Sequence, residues 1–166
     1  MRSIGGCGDA RDVEDNVIVR SAQPEDVPGL AALKEAWAQL SHPVSESERR
    51  EFAEDLAAWM RSQGQALLCH VAEADGQLVG MAWLVLFERV PDIHDRTRLT
   101  GDIQSVYVLP QHRQRGIGRA LVRSLIDAAD ERGVPRVTVS ANAAAAAMYS
   151  AEGFGTARYL LERSHR

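Results

Sequence analysis

A chain of 166 residues, 45% hydrophobic and 25% charged, has the make-up of one globular domain with a real core. Its formal net charge of -4 excludes the domain-wide basic face that nucleic acid or an anionic membrane surface requires. No apolar run approaches the roughly 18 residues that suggest a membrane span, and the opening "MRSIGGCGDARDVEDN" lacks the apolar centre of a secretory signal, so a cytoplasmic protein is expected.

Residues 1–15 read as a disordered tail, and one domain is expected over residues 16–166. "NVIVRSA" has the β-branched character of a strand. In "QPEDVPGLAALKEAWAQL", Val27, Leu30, Leu33, Trp37 and Leu40 recur at helical spacing behind a Pro-Glu-Asp start. After the break at "SHPVS", Glu46 to Gln63 carries Phe52, Leu56, Trp59 and Met60 on one stripe, which predicts a second helix. "QALLCHVAEADGQLVGMAWLVLFERV" is two apolar runs joined by Asp75-Gly76, a hairpin signal. The polar stretch "PDIHDRTRLTG" leads to a strand "DIQSVYVLP", which Pro110 ends. A helix to about Arg132, a strand "RVTVSAN", an alanine-rich helix "AAAAAMYSAEG" and a last strand around "ARYLLER" complete an α/β order of βααβββαβαβ. Cys7 lies in the Gly- and Asp-rich tail and Cys69 in an apolar run, so the two form no disulfide framework and Cys69 reads as a core thiol.

The chemistry concentrates in "LPQHRQRGIGRALVRSLIDAAD", residues 109 to 130, which puts two glycines and four arginines around the start of an amphipathic helix. A helix start presents unpaired N–H groups and the positive end of the macrodipole, so it suits an anion, and a phosphate above all. Arg113, Gln114, Arg115, Gly116, Ile117 and Gly118 fit the pattern Gln/Arg-x-x-Gly-x-Gly/Ala, in which the glycines let the backbone approach a bulky pyrophosphate. The dinucleotide fingerprint is not met, because Leu121 stands where its third glycine belongs. No Gly-Lys-Ser/Thr of a P-loop occurs.

A second constellation lies in "SANAAAAAMYSAEGF": Asn142, Ala145, Tyr149 and Gly153-Phe154, spaced Asn-x-x-Ala-x-x-x-Tyr-x-x-x-Gly-Phe. In the phosphate turn after "VYV" and in this later spacing the chain resembles the GNAT superfamily of N-acetyltransferases, most closely over Gly101 to Phe154. The resemblance implies a mixed, mostly antiparallel sheet flanked by helices, in which the strand ending at Val108 splays from the one ending at Ser140. It implies acetyl-CoA as cosubstrate, with its pyrophosphate on backbone N–H groups from Arg113 to Arg119. The pantetheine arm would pair along Val106, Tyr107 and Val108, through the backbone of Val106 and Val108, and would meet Asn142 beside Ala145. Asn142 is equally a good helix N-cap.

Acyl transfer from a thioester needs a neutral amine, a donor for the developing oxyanion and a proton for the departing thiolate. By the resemblance, Tyr149 supplies the proton and the Val106 N–H is the oxyanion donor. Asp102 stands where some relatives place a glutamate base, with Glu88 or a water chain as alternatives. The partner is then a small-molecule or peptide amine, with neither nucleic acid nor membrane; a homodimer is left open. The histidines show no ligand spacing, so no metal is expected. The expected function is acetyl transfer to an unidentified amine by direct attack on the thioester. A non-catalytic acyl-CoA-binding or sensing module on the same fold is the alternative.

Overall fold

The computed structural model describes residues 16–157. They run from β1 (Val17–Ser21) through a single 3-10 turn into α1 (Val27–Ala38) and α2 (Glu46–Gln63). Ser45 starts α2 with a capping box: its hydroxyl accepts from the Glu48 N–H while the Glu48 carboxylate accepts from the Ser45 N–H. β2 (Leu67–Ala74) and β3 (Gln77–Glu88) form the expected hairpin, with positive φ at both Asp75 and Gly76, as a tight type I′ turn demands. Then come β4 (Leu99–Val108), α3 (Ile117–Glu131), β5 (Val137–Val139) and α4 (Ala143–Ala151). The tail at residues 1–15 and nearly all of the expected last strand lie outside the described residues.

The sheet order is β1-β2-β3-β4-β5, antiparallel except for the parallel pair β4–β5. α3 lies on one face, where Ile117, Leu121, Val122 and Leu125 pack on Ala82, Leu84, Ile103 and Val108. α1 and α2 cover the other, where Leu30, Leu33 and Leu56 meet Val71, Met81, Trp83 and Tyr107. Cys69 is buried in this second core, and burial pushes its thiol far above the usual cysteine range, so the core-thiol reading holds.

The helical stripes are buried less completely than their spacing predicts. Gln39 turns into the left-handed region with φ 48°, which ends α1 before Leu40; Leu40 and Trp37 are left half exposed. Of the α2 stripe only Leu56 is fully buried, while Phe52 and Trp59 face partly outward.

Two features of β4 shape its surroundings. Between Trp83 and Leu84 the β3 register shifts so that Ser105 and Ile103 are successive partners, leaving Gln104 as the extra residue of a bulge. The bulge changes the parity of the pleat. Ile103, Val106 and Val108 share the α3 face, and Ser105 and Tyr107 turn to the α1 face. In addition, β5 pairs only with Gly101 to Ile103, so among the described residues the second half of β4 has no neighbour strand on that side.

His70, buried on β2, ties three elements together: its Nδ1 lies 2.6 Å from Ser124 Oγ of α3 and its Nε2 lies 3.3 Å from Ser21 Oγ of β1. Burial, with the nearby Arg132 charge, holds its pKa below the usual histidine value. The unfolded chain therefore binds a proton in a window where the native protein does not, and stability falls as pH drops below about 6.5 until native His70 itself protonates. Urea midpoints measured across this window are expected to decline toward acid, with a shallower slope in His70→Gln.

Candidate active site

β4 leaves the sheet at Leu109, whose N–H still donates to the Val79 carbonyl at 2.9 Å. Backbone groups alternate in direction along a strand, so the N–H and C=O of Val108 and Val106 point the other way, into the gap that opens beyond Ile103. The Val108 carbonyl shows this directly by accepting from Arg113 Nε at 2.9 Å. The Arg113 guanidinium also sits 5.5 Å from the centre of the Tyr107 ring.

The turn between β4 and α3 is shaped for an anion. Gln114 has φ 64° and Gly116 φ 76°, and Gly116 is the N-cap of α3. Left-handed residues placed among right-handed ones point successive N–H groups toward one spot, beside the positive end of the α3 dipole. A side chain begun at Gly118 would point its Cβ toward Met148 Sδ at 3.6 Å and Val108 Cγ2 at 3.8 Å, so the fold itself tolerates a Cβ there.

Gap and turn belong to one cleft of about 540 Å³ between β4, α3 and α4. It brings together Val106, Val108, Arg113, Gln114, Gly116, Ile117, Gly118, Arg119, Asn142, Ala145 and Tyr149, with His112, Ala144 and Met148 as lining that the motifs did not announce. Asn142 is the N-cap of α4 and its Oδ1 accepts from the Ala145 N–H at 2.9 Å. The cap takes the oxygen and leaves the amide NH₂ for another partner.

Tyr149, 6% exposed, stands in this cleft with Phe154 edge-on at 5.4 Å between ring centres. Burial raises its pKa above the ordinary phenol value, so the hydroxyl stays protonated through neutral pH. Among the described residues nothing hydrogen-bonds to that hydroxyl. α4 is clamped to α3 through Glu152, whose carboxylate takes Arg119 Nε and, at 3.0 Å, Arg123 Nε. Burial alone would raise the Glu152 pKa, but the two guanidiniums hold it below the usual carboxylate value.

The candidate bases lie elsewhere. Asp102 shares the face of Ser105 and Tyr107, and accepts from Thr138 Oγ1 at 3.1 Å. Glu88 is exposed and pairs with Leu99, seven residues along β4 from Val106. That is about 23 Å at the rise of a strand, too far to share a site. Tyr107, expected along the cofactor arm, lies outside the cleft: its ring is buried in the α1-side core and its backbone turns toward Met81 of β3. Among the described residues no group of three acidic, histidine or cysteine side chains is placed to hold a metal.

The model of the acetyltransferase (GNAT) family matches residues 30–154. The chain belongs to the GNAT family of acetyltransferases. It is similar to a putative acetyltransferase from Agrobacterium tumefaciens at 26% identity and a TM-score of 0.72, covering 89% of this chain and 99% of that one. A predicted acetyltransferase from Clostridium acetobutylicum, solved with acetyl-CoA, shares the fold at a TM-score of 0.70 and 20% identity, over 89% and 96% of the two chains. So does glucosamine-6-phosphate N-acetyltransferase from Arabidopsis thaliana, at 0.70 and 17%, over 92% and 100%. No curated protein sequence matches significantly. Among the described residues no helix is long and apolar enough to cross a membrane.

Gly118 separates folding from binding. Gly118→Val is expected to fold with a thermal midpoint near the parent's, while its branched side chain projects into the cleft beside Met148 and Val108 and lowers the affinity for a pyrophosphate-bearing ligand on the order of a hundredfold. Calorimetric titration with acetyl-CoA, beside thermal melts, checks both halves of this expectation.

Proposed function

We propose that this protein transfers the acetyl group of acetyl-CoA to an amine by direct attack on the thioester. The observation that carries the reading is the single cleft in which an anion-shaped turn, two cleft-facing stretches of β4 backbone, a spare Asn142 amide and an unpaired Tyr149 hydroxyl converge. The residues fit acetyl-CoA. The N–H groups between Gln114 and Arg119 suit the pyrophosphate, that of Arg113 already donating to the Pro110 carbonyl at 3.3 Å, and the Val106 C=O and Val108 N–H suit the amides of an extended arm laid along β4.

The amine nitrogen forms a bond to the thioester carbonyl carbon and the C–S bond breaks. The Val106 N–H donates to the carbonyl oxygen as it gains negative charge. Tyr149 donates its hydroxyl proton to the departing sulfur, so that CoA leaves as the thiol. The proton lost by the amine passes to Asp102 through water, since the Asp102 carboxylate is on the opposite face of β4 from the cleft and already accepts from Thr138. With α3 and α4 closing one side of the sheet, the amine approaches from the α1 side, where Asp102 also lies. The buried Cys69 has a strongly raised pKa and belongs to the opposite core, which favours direct transfer over an acetyl-cysteine route.

Release of free thiol from acetyl-CoA on a panel of amines tests the activity, and no release with any amine from a protein that binds acetyl-CoA would overturn it. Tyr149→Phe keeps the ring and removes only the hydroxyl. Neutral thioester sulfur accepts hydrogen bonds poorly and thiolate accepts them well, so the loss falls on turnover. Turnover is expected to drop on the order of a hundredfold with acetyl-CoA affinity nearly unchanged, as steady-state kinetics beside calorimetry would show. For Asp102→Asn the expectation is a lower kcat and loss of the acidic limb of the pH profile, again with acetyl-CoA affinity retained.

A further inference from the structure

On the α1 side of the sheet, beneath the approach route of the amine, lies an ammonium without a counter-ion. Lys34 of α1 is half-buried, and its Nζ donates to Ser105 Oγ at 3.1 Å. It also lies 5.1 Å from the centre of the Trp37 ring and 5.2 Å from that of Trp83. Trp59 packs against Trp83 at 6.2 Å, so two of the chain's three tryptophans flank the charge and the third backs one of them. Among the described residues no carboxylate comes within ion-pairing distance of it. The neighbouring acids are already engaged: Glu35 with Arg49 and Asp26 with Arg20.

The arrangement is incomplete in one direction. A partly desolvated charge is ordinarily paired, and two indole faces with one hydroxyl replace only part of the hydration that Lys34 has given up. Burial accordingly lowers its pKa from the usual lysine value. A second group of the same cluster is also short of a partner: Trp83, 2% exposed, has a buried Nε1–H with no acceptor. Both deficits are of acceptors, and the charged one calls for an anion.

Its location ties that anion to the acceptor. Ser105 directly precedes Val106, so the Lys34 ammonium stands within about 9 Å of the Val106 N–H by bond lengths alone. Asp102 projects from the same face of β4, so the amine's side of the strand presents a carboxylate and an ammonium a few residues apart. A positively charged polyamine would meet Lys34 as a like charge. A molecule with an amine at one end and an anion at the other meets complementary charges at both.

We propose that the acceptor of this enzyme is an amine that also carries an anionic group, carboxylate or phosphate, and that Lys34 is the specificity residue that holds this group. The proposal rests on the transferase reading above, and it makes Trp37, 46% exposed, the apolar wall of the acceptor subsite.

The test has two arms. In the first, thiol release is measured for glycine, β-alanine and phosphoethanolamine, each beside its uncharged counterpart: glycinamide, β-alaninamide and ethanolamine. The expected result is a kcat/KM about ten- to hundredfold higher for the anionic member of at least one pair, the carboxylate and phosphate pairs telling the two anions apart. Lys34→Met should abolish that preference through KM, Lys34→Arg should keep it, and acetyl-CoA affinity should be the parent's in both. Equal rates within every pair, or a preference that survives Lys34→Met, would overturn the proposal.

The second arm needs no turnover. Because every tryptophan lies in the cluster, titration with N-acetylglycine or with inorganic phosphate should change intrinsic fluorescence in the parent and in Lys34→Arg, but not in Lys34→Met. No change in the parent, or the same change in Lys34→Met, overturns the anion site. Failure of the transferase reading looks different: no amine releases thiol at all, whereas the fluorescence arm still decides for or against the anion.

Discussion

The parting of β4 from β5 after Ile103 is the constraint on which the rest of the molecule depends. A strand inside a sheet satisfies its backbone on both sides, and unpaired N–H and C=O groups away from water are costly. Here Val106 and Val108 turn toward a gap walled by α3 and α4, and among the described residues only the Val108 carbonyl is met, by Arg113. The fold thereby keeps a short length of strand edge that an extended amide-bearing molecule can complete. The same parting puts the N-terminus of α3 at one end of the gap and Tyr149 along it, so the anion cradle and the hydroxyl share one cleft.

The bulge at Gln104 does a separate job. With regular alternation, Ser105 would share a face with Ile103, and Lys34 would have no hydroxyl to meet. The extra residue rotates the pleat so that Val106 and Val108 line the cleft while Ser105 and Tyr107 look toward α1. One strand thus separates two surroundings: unpaired backbone beside α3 and α4, and a polar, tryptophan-rich floor toward α1. Bulges re-aim side chains in this way, and this one falls one residue before the point where the two faces matter most.

Most elements and the cleft's composition are legible in the sequence because they are written locally. Asp75-Gly76, the Gly116–Gly118 turn and the Asn142 cap each depend on the backbone freedom or hydrogen-bonding of one or two residues. Exposure at the ends of α1 and α2 is not, since spacing marks a helix's apolar stripe without saying how far the sheet beneath extends; Trp37 and Trp59 have core spacing and stand half-open. Glu88 is a candidate only by its position at a strand end, and the antiparallel ladder carries it to the far end of β4 from the cleft. Lys34 gives no signal at all. In sequence it is one lysine in an amphipathic helix, and its meaning emerges only when α1 is laid across Trp83 and Ser105, on two strands that lie far along the chain. Glu152 is hidden for the same reason, since its partners are on another helix.

Glu152 bears on how the cleft is built. Arg119 lies in the first turn of α3, where a guanidinium would ordinarily be counted toward phosphate binding, yet its Nε is turned to Glu152 together with that of Arg123. Arg113 likewise commits its Nε to the Val108 carbonyl. The Nε groups of these side chains are therefore engaged in fixing the walls of the turn, beside the oriented backbone N–H groups and the helix dipole. That arrangement has a structural logic. α4 is only nine residues long and rich in alanine, which lets it approach closely but offers little apolar surface to hold it. Its start is fixed by the Asn142 cap and its end by the Glu152 clamp, and Tyr149 lies between the two. The position of the hydroxyl thus depends on polar contacts at both ends of a short helix as much as on the edge contact with Phe154, and the arginines keep that helix in place.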